Sequence, residues 1–452
     1  MKQLKRRTLF VLCFVGLLVA LSGVFCVKLI INGRTWASSS VNWNAYSSGK
    51  LARGTIYDRN GVLLYDCETQ TYGDGKLLRT STLHLIGDQQ GNISTGAKRL
   101  FSEKLVGYNP ITGLNKKGNK LYLSVDANLN QTAYEALNGH SGTVAVYNYE
   151  TGEILCLVSA PSYDPTNESQ VQAVAEGDSR YEGAYINRFF SSTYTPGSIF
   201  KLVTAAAAIE NLDTSSFSFH CTGSYDINGN KVTCPKKHGD LDFGTALAKS
   251  CNGAFAQLAL ELDGPVLEEY ARKAGLLDSM TISGYPTAAG SFEAAPSGTL
   301  DLGWSGVGQF HDQVCPASIL TLMGCIAGDG KAATPRLDHK ITSPSGVPVG
   351  QDRRSTSTIG WKPETCQKLQ EMMRNNVLQT YGQEQFGSLP VCAKSGTAEV
   401  GAGKDPHAWF VGFVDDPDHP YAFVVVVEHG GWGSSTAGRV AASVLKEIDQ
   451  EA

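Results

Sequence analysis

The sequence predicts an α+β protein, an antiparallel sheet covered by helices, carried on a small N-terminal pedestal behind a membrane-spanning helix. Three observations lead there. Two strand pairs stand at opposite ends of one long stretch of chain, Thr143–Asn148 with Glu153–Val158 and Ala408–Val414 with Tyr421–Glu428. Helical segments fill the interval between them. At the start of the chain, Thr8 to Val27 is almost wholly apolar, which is ~30 Å of helix and matches the hydrocarbon core of a bilayer.

Taken in order, residues 1–7 carry Lys2, Lys5, Arg6 and Arg7 and form the expected cytoplasmic tail under the positive-inside rule. Residues 8–31 are the anchor, and the chain beyond it lies on the extracytoplasmic side of the cell membrane. A cleaved signal peptide is the rival reading, but no small-x-small cleavage site stands near Ser22–Val27. Residues 32–120 make a stalk and pedestal, beginning with the Ser- and Asn-rich Asn32–Lys50. The pedestal includes a hairpin whose turn, Asp58–Gly61, carries the Asn60-Gly61 signal. Residues 121–452 form the large domain. Ala127–Leu137 is helical, Glu150-Thr151-Gly152 turns the first strand pair, Ser198–Glu210 and Ser250–Leu262 are helices, and Ser435–Ile448 closes the chain as a helix.

Composition narrows the function classes. Apolar residues make up 42% and charged residues 18%, an ordinary globular balance, and the net charge of −5 argues against a nucleic-acid partner. There are 11 cysteines, an odd number, with Cys13 and Cys26 inside the apolar run. A disulfide-built exported domain is smaller and more regular, so most of these are expected to be buried free thiols.

The chemistry concentrates in three short motifs. Thr195-Pro196-Gly197-Ser198-Ile199-Phe200-Lys201 stops one segment and opens an apolar helix, placing Ser198 and Lys201 on one face. A serine hydroxyl needs a base, and a lysine buried by Leu202–Ile209 can serve. Backbone N–H groups at the helix start can hold an oxyanion. Ser250-Cys251-Asn252 stands at the start of another helix, and Lys394-Ser395-Gly396-Thr397 reads as an edge strand. Ser250 and Asn252 can relay a proton and hold a substrate amide. Lys394 supplies positive charge, Ser395 binds a carboxylate, Gly396 admits a close backbone, and the Thr397 N–H pairs with that of Ser198 toward an oxyanion.

The ordered set S-x-x-K, S-x-N and K-[ST]-G is the signature of penicillin-binding proteins and serine β-lactamases. Together with Arg53–Leu64, Ser159–Pro165 and His407–Phe413, it makes the chain resemble a class B penicillin-binding protein over most of residues 50–452. The resemblance implies the penicillin-binding transpeptidase fold and D,D-transpeptidase chemistry on peptidoglycan stem peptides. It implies acylation of Ser198 by β-lactams, no cofactor for the chemistry, and a lipid-linked glycan polymerase of the elongation, division or sporulation machinery as partner. Rival readings are a membrane-anchored β-lactamase or DD-carboxypeptidase, and a non-catalytic β-lactam receptor or scaffold.

Cys221, Cys234, His238 and Cys251 form a further constellation. The first two flank a hairpin, Gly223–Val232, and Cys251 is the middle residue of the second motif. Three thiolates and an imidazole suit tetrahedral zinc, and the resemblance implies a structural Zn²⁺ here, since some class B members carry one in this region. Asp226 or Asp240 could replace a thiolate. A Cys221–Cys234 disulfide, or no linkage, stays open. His311, His429 and Glu399 are expected to be surface, packed or cleft-rim groups, and Trp409 a sheet residue lining the cleft.

Overall fold

The structure is a computed structural model describing residues 2–38, 54–109, 113–114, 117–349, 354–401 and 403–451. The stalk from 39 to 53, including Arg53, lies outside the described residues. Helix α1 (Lys2–Ser38) extends beyond both ends of the expected 8–31 span. Its stretch Gln3–Gly33 is long and apolar enough to cross a membrane, and its most apolar 18 residues are not buried by the rest of the chain. No proline interrupts it, and nothing in backbone hydrogen bonding obliges a helix to stop where the apolar run stops.

The linker hairpin pairs β1 (Thr55–Tyr57) with β2 (Leu63–Asp66). Asp58 organises the turn, its Oδ1 accepting the N–H groups of Asn60 at 2.9 Å and Val62 at 2.7 Å, while Gly61 takes φ +91°. The same carboxylate accepts the Ala127 N–H at 3.1 Å, and Asn60 Nδ2 donates to Asp126 at 2.6 Å. The turn is thereby hydrogen-bonded to the first turn of α2 (Ala127–Ala136), whose N-cap is Asp126. Asp66–Lys120, unassigned by pattern, holds short helices and β3 (Thr71–Tyr72). The pedestal sheet also takes chain from well beyond residue 120. It runs β11-β4-β1-β2-β3, with β4 at Lys120–Leu123 and β11 at Asp338–Thr342.

The main sheet unites both expected strand pairs. Strands β5 (Gly142–Asn148) and β6 (Ile154–Ala160) come early, and β12 (Val391–Ala398), β13 (His407–Val414) and β14 (Tyr421–Val427) come late. Their order is β12-β13-β14-β5-β6, all antiparallel, and β14 meets β5 from Tyr421↔Asn148 to Val427↔Gly142. Side chains alternate between two cores. Val144, Val146, Phe423, Val425 and Val427 face one, with the C-terminal helix Ala437–Glu451; Ala145, Tyr147, Ala422, Val424 and Val426 face the other, with Pro316–Ala327. Burial on both faces explains the unbroken apolar run Tyr421–Val427, whose residues would alternate with polar ones were one face wet.

Candidate active site

Each motif sits where two elements meet. Gly197 has φ +54°, and a Cβ there would come 2.5 Å from the Thr397 carbonyl oxygen of β12. Only glycine meets both demands. One 3₁₀ turn, Gly197–Ile199, carries Ser198 and leads into α3 (Lys201–Asn211). Residues Leu202 to Ala208 are all buried, which draws Lys201 inside with them to 0% exposure.

Inside, the amine is closely surrounded. Lys201 Nζ lies 3.1 Å from Ser198 Oγ, 2.7 Å from the Ser250 carbonyl oxygen, 2.7 Å from Asn252 Oδ1 and 3.2 Å from Ser250 Oγ. Both carbonyl oxygens can only accept. In the neutral amine they take its two hydrogens, leaving the lone pair for a serine hydroxyl. Burial pushes the Lys201 pKa down to about 7, so the neutral form is present at physiological pH. Lys394 is also fully buried, and its Nζ donates to Ser250 Oγ at 3.0 Å and to the Ser395 carbonyl at 2.8 Å. Burial, with Lys201 adding like charge, holds Lys394 well below the ordinary lysine range. Ser250 Oγ thus bridges the two lysines.

Ser250 owes its position to a helix ending. Helix α4 (Phe243–Ala248) closes with the Cys251 N–H donating to Ala246 O at 2.9 Å and the Ser250 N–H to Leu247 O at 3.0 Å. That is a Schellman ending, with Ser250 at the left-handed position glycine usually fills, φ +53°. A side chain there costs about 1–2 kcal/mol, strain of the kind that collects at functional sites. Cys251 then N-caps α5 (Asn252–Leu262), and Asn252 Nδ2 donates to Thr233 O at 2.8 Å.

The structure therefore brings Ser198, Lys201, Ser250, Asn252 and Lys394 into one contact set. Ser198, Ser250, Asn252, Ser395 and Thr397 line a cleft of about 790 Å³ with Glu399 at its margin. Two expectations change. Missing Cβ space at Gly396 is used by the protein itself, since a Cβ there would meet the Pro196 carbonyl at 2.9 Å and Ile199 Cγ2 at 3.0 Å. Trp409 does not line the cleft; it is fully buried behind it, its Nε1 donating to Thr195 O at 3.0 Å. His311 is an exposed side chain 3.9 Å from Glu293, and His429 packs on His407. Pattern reading missed Gln309, whose Nε2 donates to Thr397 O at 3.0 Å and whose Oε1 accepts the Glu399 N–H at 3.2 Å, and it missed Tyr381 beside Ser395. The Gly306-Val307-Gly308 run ahead of Gln309 was the available signal, for Gly308 gives its carbonyl to the Gly197 N–H at 2.8 Å.

The four candidate metal ligands also converge. Cys221 ends β7 (Ser218–Cys221), Cys234 follows the hairpin of β8 (Ser224–Ile227) and β9 (Asn230–Thr233), and His238 precedes β10 (Gly239–Asp242). Their donor atoms and that of Cys251 all lie within 4.8 Å of one another. Cys221 Sγ is 3.3 Å from His238 Nδ1, and Cys234 Sγ is 3.7 Å from Cys251 Sγ. A tetrahedral zinc with Zn–S of ~2.3 Å spaces its thiolates by about 3.8 Å, so the donor set fits. Cys221, Cys234 and Cys251 form no disulfide in the structure. Asp226 and Asp240 do not take part: one closes the Gly229 turn, the other pairs with exposed His220 at 2.6 Å.

A serine on a buried lysine, a second serine bridging to another lysine, and an edge strand along the cleft point to a class: active-serine enzymes that transfer acyl groups. Comparison with known proteins places the chain within that class. Residues 142–449 match the penicillin binding protein transpeptidase domain. Peptidoglycan D,D-transpeptidase PbpA of Mycolicibacterium smegmatis is 30% identical over 380 residues, 77% of this chain and 74% of that protein. The enzyme of the same name from Mycobacterium tuberculosis is 28% identical over 405 residues, 83% of this chain and 80% of its own. The penicillin G acyl-enzyme complex of penicillin-binding protein A from M. tuberculosis superposes with a TM-score of 0.77 at 24% identity, over 89% of this chain and all of that one, a likeness of fold. The chain belongs to the penicillin-binding protein transpeptidase family, in its class B branch.

With Lys201 titrating at about 7, the second-order rate of acylation by a penicillin should rise about tenfold per pH unit below neutrality and level off above it. Stopped-flow acylation across that range checks this. A profile flat from about pH 5 to 9 would contradict a lysine base.

Proposed function

We propose that this protein is a peptidoglycan D,D-transpeptidase that cross-links stem peptides through a Ser198 acyl-enzyme. The carrying observation is the Lys201 amine, buried, 3.1 Å from Ser198 Oγ and tied by two carbonyl acceptors. Ser198 Oγ attacks the carbonyl of the penultimate D-Ala of a donor stem while Lys201 Nζ takes its proton. The C–N bond to the terminal D-Ala breaks, and that proton reaches the leaving amine by way of Ser250 Oγ. An amine from a neighbouring stem then attacks the ester, Ser198 recovers its proton, and the cross-link is released. β-Lactams enter the same path by acylating Ser198, and the small strained ring opens without a departing fragment. Ser395 and Thr397 face the substrate, and no cofactor takes part in the chemistry.

The hydrolytic rivals use the same three motifs but pass the acyl group to water. Support for the transpeptidase over these and over a scaffold comes from the apolar α1, the linker hairpin bonded to α2, and an unbroken motif set. In this reading α1 is a single-pass anchor in the cell membrane with the catalytic domain outside, and the partner is a lipid-linked glycan polymerase of the elongation, division or sporulation machinery. Ser198→Ala should abolish labelling by fluorescent penicillin, and the wild-type adduct should outlast a gel run. Unchanged labelling would overturn the nucleophile, and rapid turnover of the adduct would mark a β-lactamase.

Cys221, Cys234, His238 and Cys251 are proposed to hold a structural zinc. With four protein ligands it has no open position for water, so its part is to hold the start of α5 and hence Asn252 against Lys201. Native mass spectrometry of the ectodomain should find one zinc per chain, lost together with several degrees of melting temperature in Cys234→Ser. A metal-free preparation of unchanged stability would rule the site out.

A further inference from the structure

Ser395 is held by a residue outside every motif, Tyr381, which lines the same cleft. Helix α6 (Pro316–Ala327) is followed in the helical order by α7 (Pro363–Asn376), which runs on into a single π-turn, Val377–Tyr381. Such wide turns are rare and recur at functional sites. This one touches both walls of the cleft. Thr380 Oγ1 donates to the Ala248 carbonyl at 3.0 Å, at the end of α4 just before the second motif. Tyr381 packs edge-on against Phe410 of β13, ring centres 5.2 Å apart. Its hydroxyl meets Ser395 twice: the oxygen accepts the Ser395 N–H at 2.9 Å and lies 2.9 Å from Ser395 Oγ.

Counting hydrogens gives the pair a direction. A phenol has one hydrogen and accepts through its oxygen. With the Ser395 N–H on that oxygen, the phenolic hydrogen needs an acceptor, and among the described residues the one in reach is Ser395 Oγ. Ser395 therefore accepts from Tyr381 and its own hydrogen is left for the cleft. Lys394 cannot take over the recognition of a carboxylate directly, because its buried amine is aimed at Ser250 Oγ and the Ser395 carbonyl. We propose that Tyr381 is a positioning residue that makes Ser395 a committed donor to the C-terminal carboxylate of the donor stem, and to the matching carboxylate of a β-lactam. This rests on the transpeptidase reading above.

The test compares acylation of Ser198 by penicillin G and by its methyl ester in wild-type protein, Tyr381→Phe and Ser395→Ala. The wild type should prefer the free acid. Tyr381→Phe should lose about tenfold on the acid, through weaker binding with little change in the limiting acylation rate, while the ester reacts nearly as before. The preference for the acid should shrink equally in Ser395→Ala. Equal slowing of both compounds in Tyr381→Phe would show a merely structural role and overturn the proposal. A full preference retained by Ser395→Ala would overturn it too, whether or not the tyrosine variant folds. If the wild type is acylated by neither compound, the transpeptidase reading itself fails, and the proposal with it.

Discussion

An ammonium taken out of water must either find compensating partners or give up its proton. Lys201 does both in part. Its amine is fully buried at the head of an apolar helix, with acceptors at the Ser250 carbonyl and Asn252 Oδ1. These partners use hydrogens that either protonation state has, so they hold the amine in place without fixing its charge. Desolvation then brings the titration to about 7. A surface lysine with the same spacing from Ser198 would stay protonated and be no base. Ser198, as the proposed nucleophile, therefore depends less on its own loop than on whatever keeps water from Lys201 and keeps the second motif against it.

Much of the surrounding structure serves that end. The main sheet sets β12 beside the nucleophile turn at a distance only glycines allow, at Gly197 on one side and Gly396 on the other. A Schellman ending forces Ser250 into a left-handed conformation, which turns its carbonyl and its hydroxyl toward the two lysines. Below it, the Cys221, Cys234, His238 and Cys251 cluster gathers two hairpins onto the first turn of α5. The π-turn after α7 closes the remaining side between Ala248 and Ser395. Each device acts on backbone placement, and the side chains that meet substrate inherit their geometry from it.

The catalytic motifs were legible in the sequence because each pairs a chemical residue with a punctuation signal: Pro196-Gly197 before Ser198, a helix start after Ser250, and a short edge strand around Lys394. The main-sheet strands were legible as short apolar runs bounded by turns. Less so was the joining of β14 to β5, which spans most of the domain and leaves no local mark, or the entry of Asp338–Thr342 into the pedestal sheet. Gly396 was expected to make room for substrate, whereas its space goes to Pro196 and Ile199; sequence shows that a glycine is needed but not what approaches it. Trp409 was expected at the cleft, but its strand lies behind the one that carries Lys394, and the side chain turns inward to Thr195. Tyr381 had no signal, since a π-turn has no residue code as glycine and proline give to tighter turns.

Lys201 is proposed to become the base through burial, and its titration measures that most directly. Carbon-13 NMR of the Cε signals in ¹³C-lysine-labelled ectodomain, with Lys201→Arg for assignment, should show one resonance titrating near 7, as the burial of this amine requires. A Lys201 signal that titrates with the exposed lysines, near ~10.4, would contradict the account.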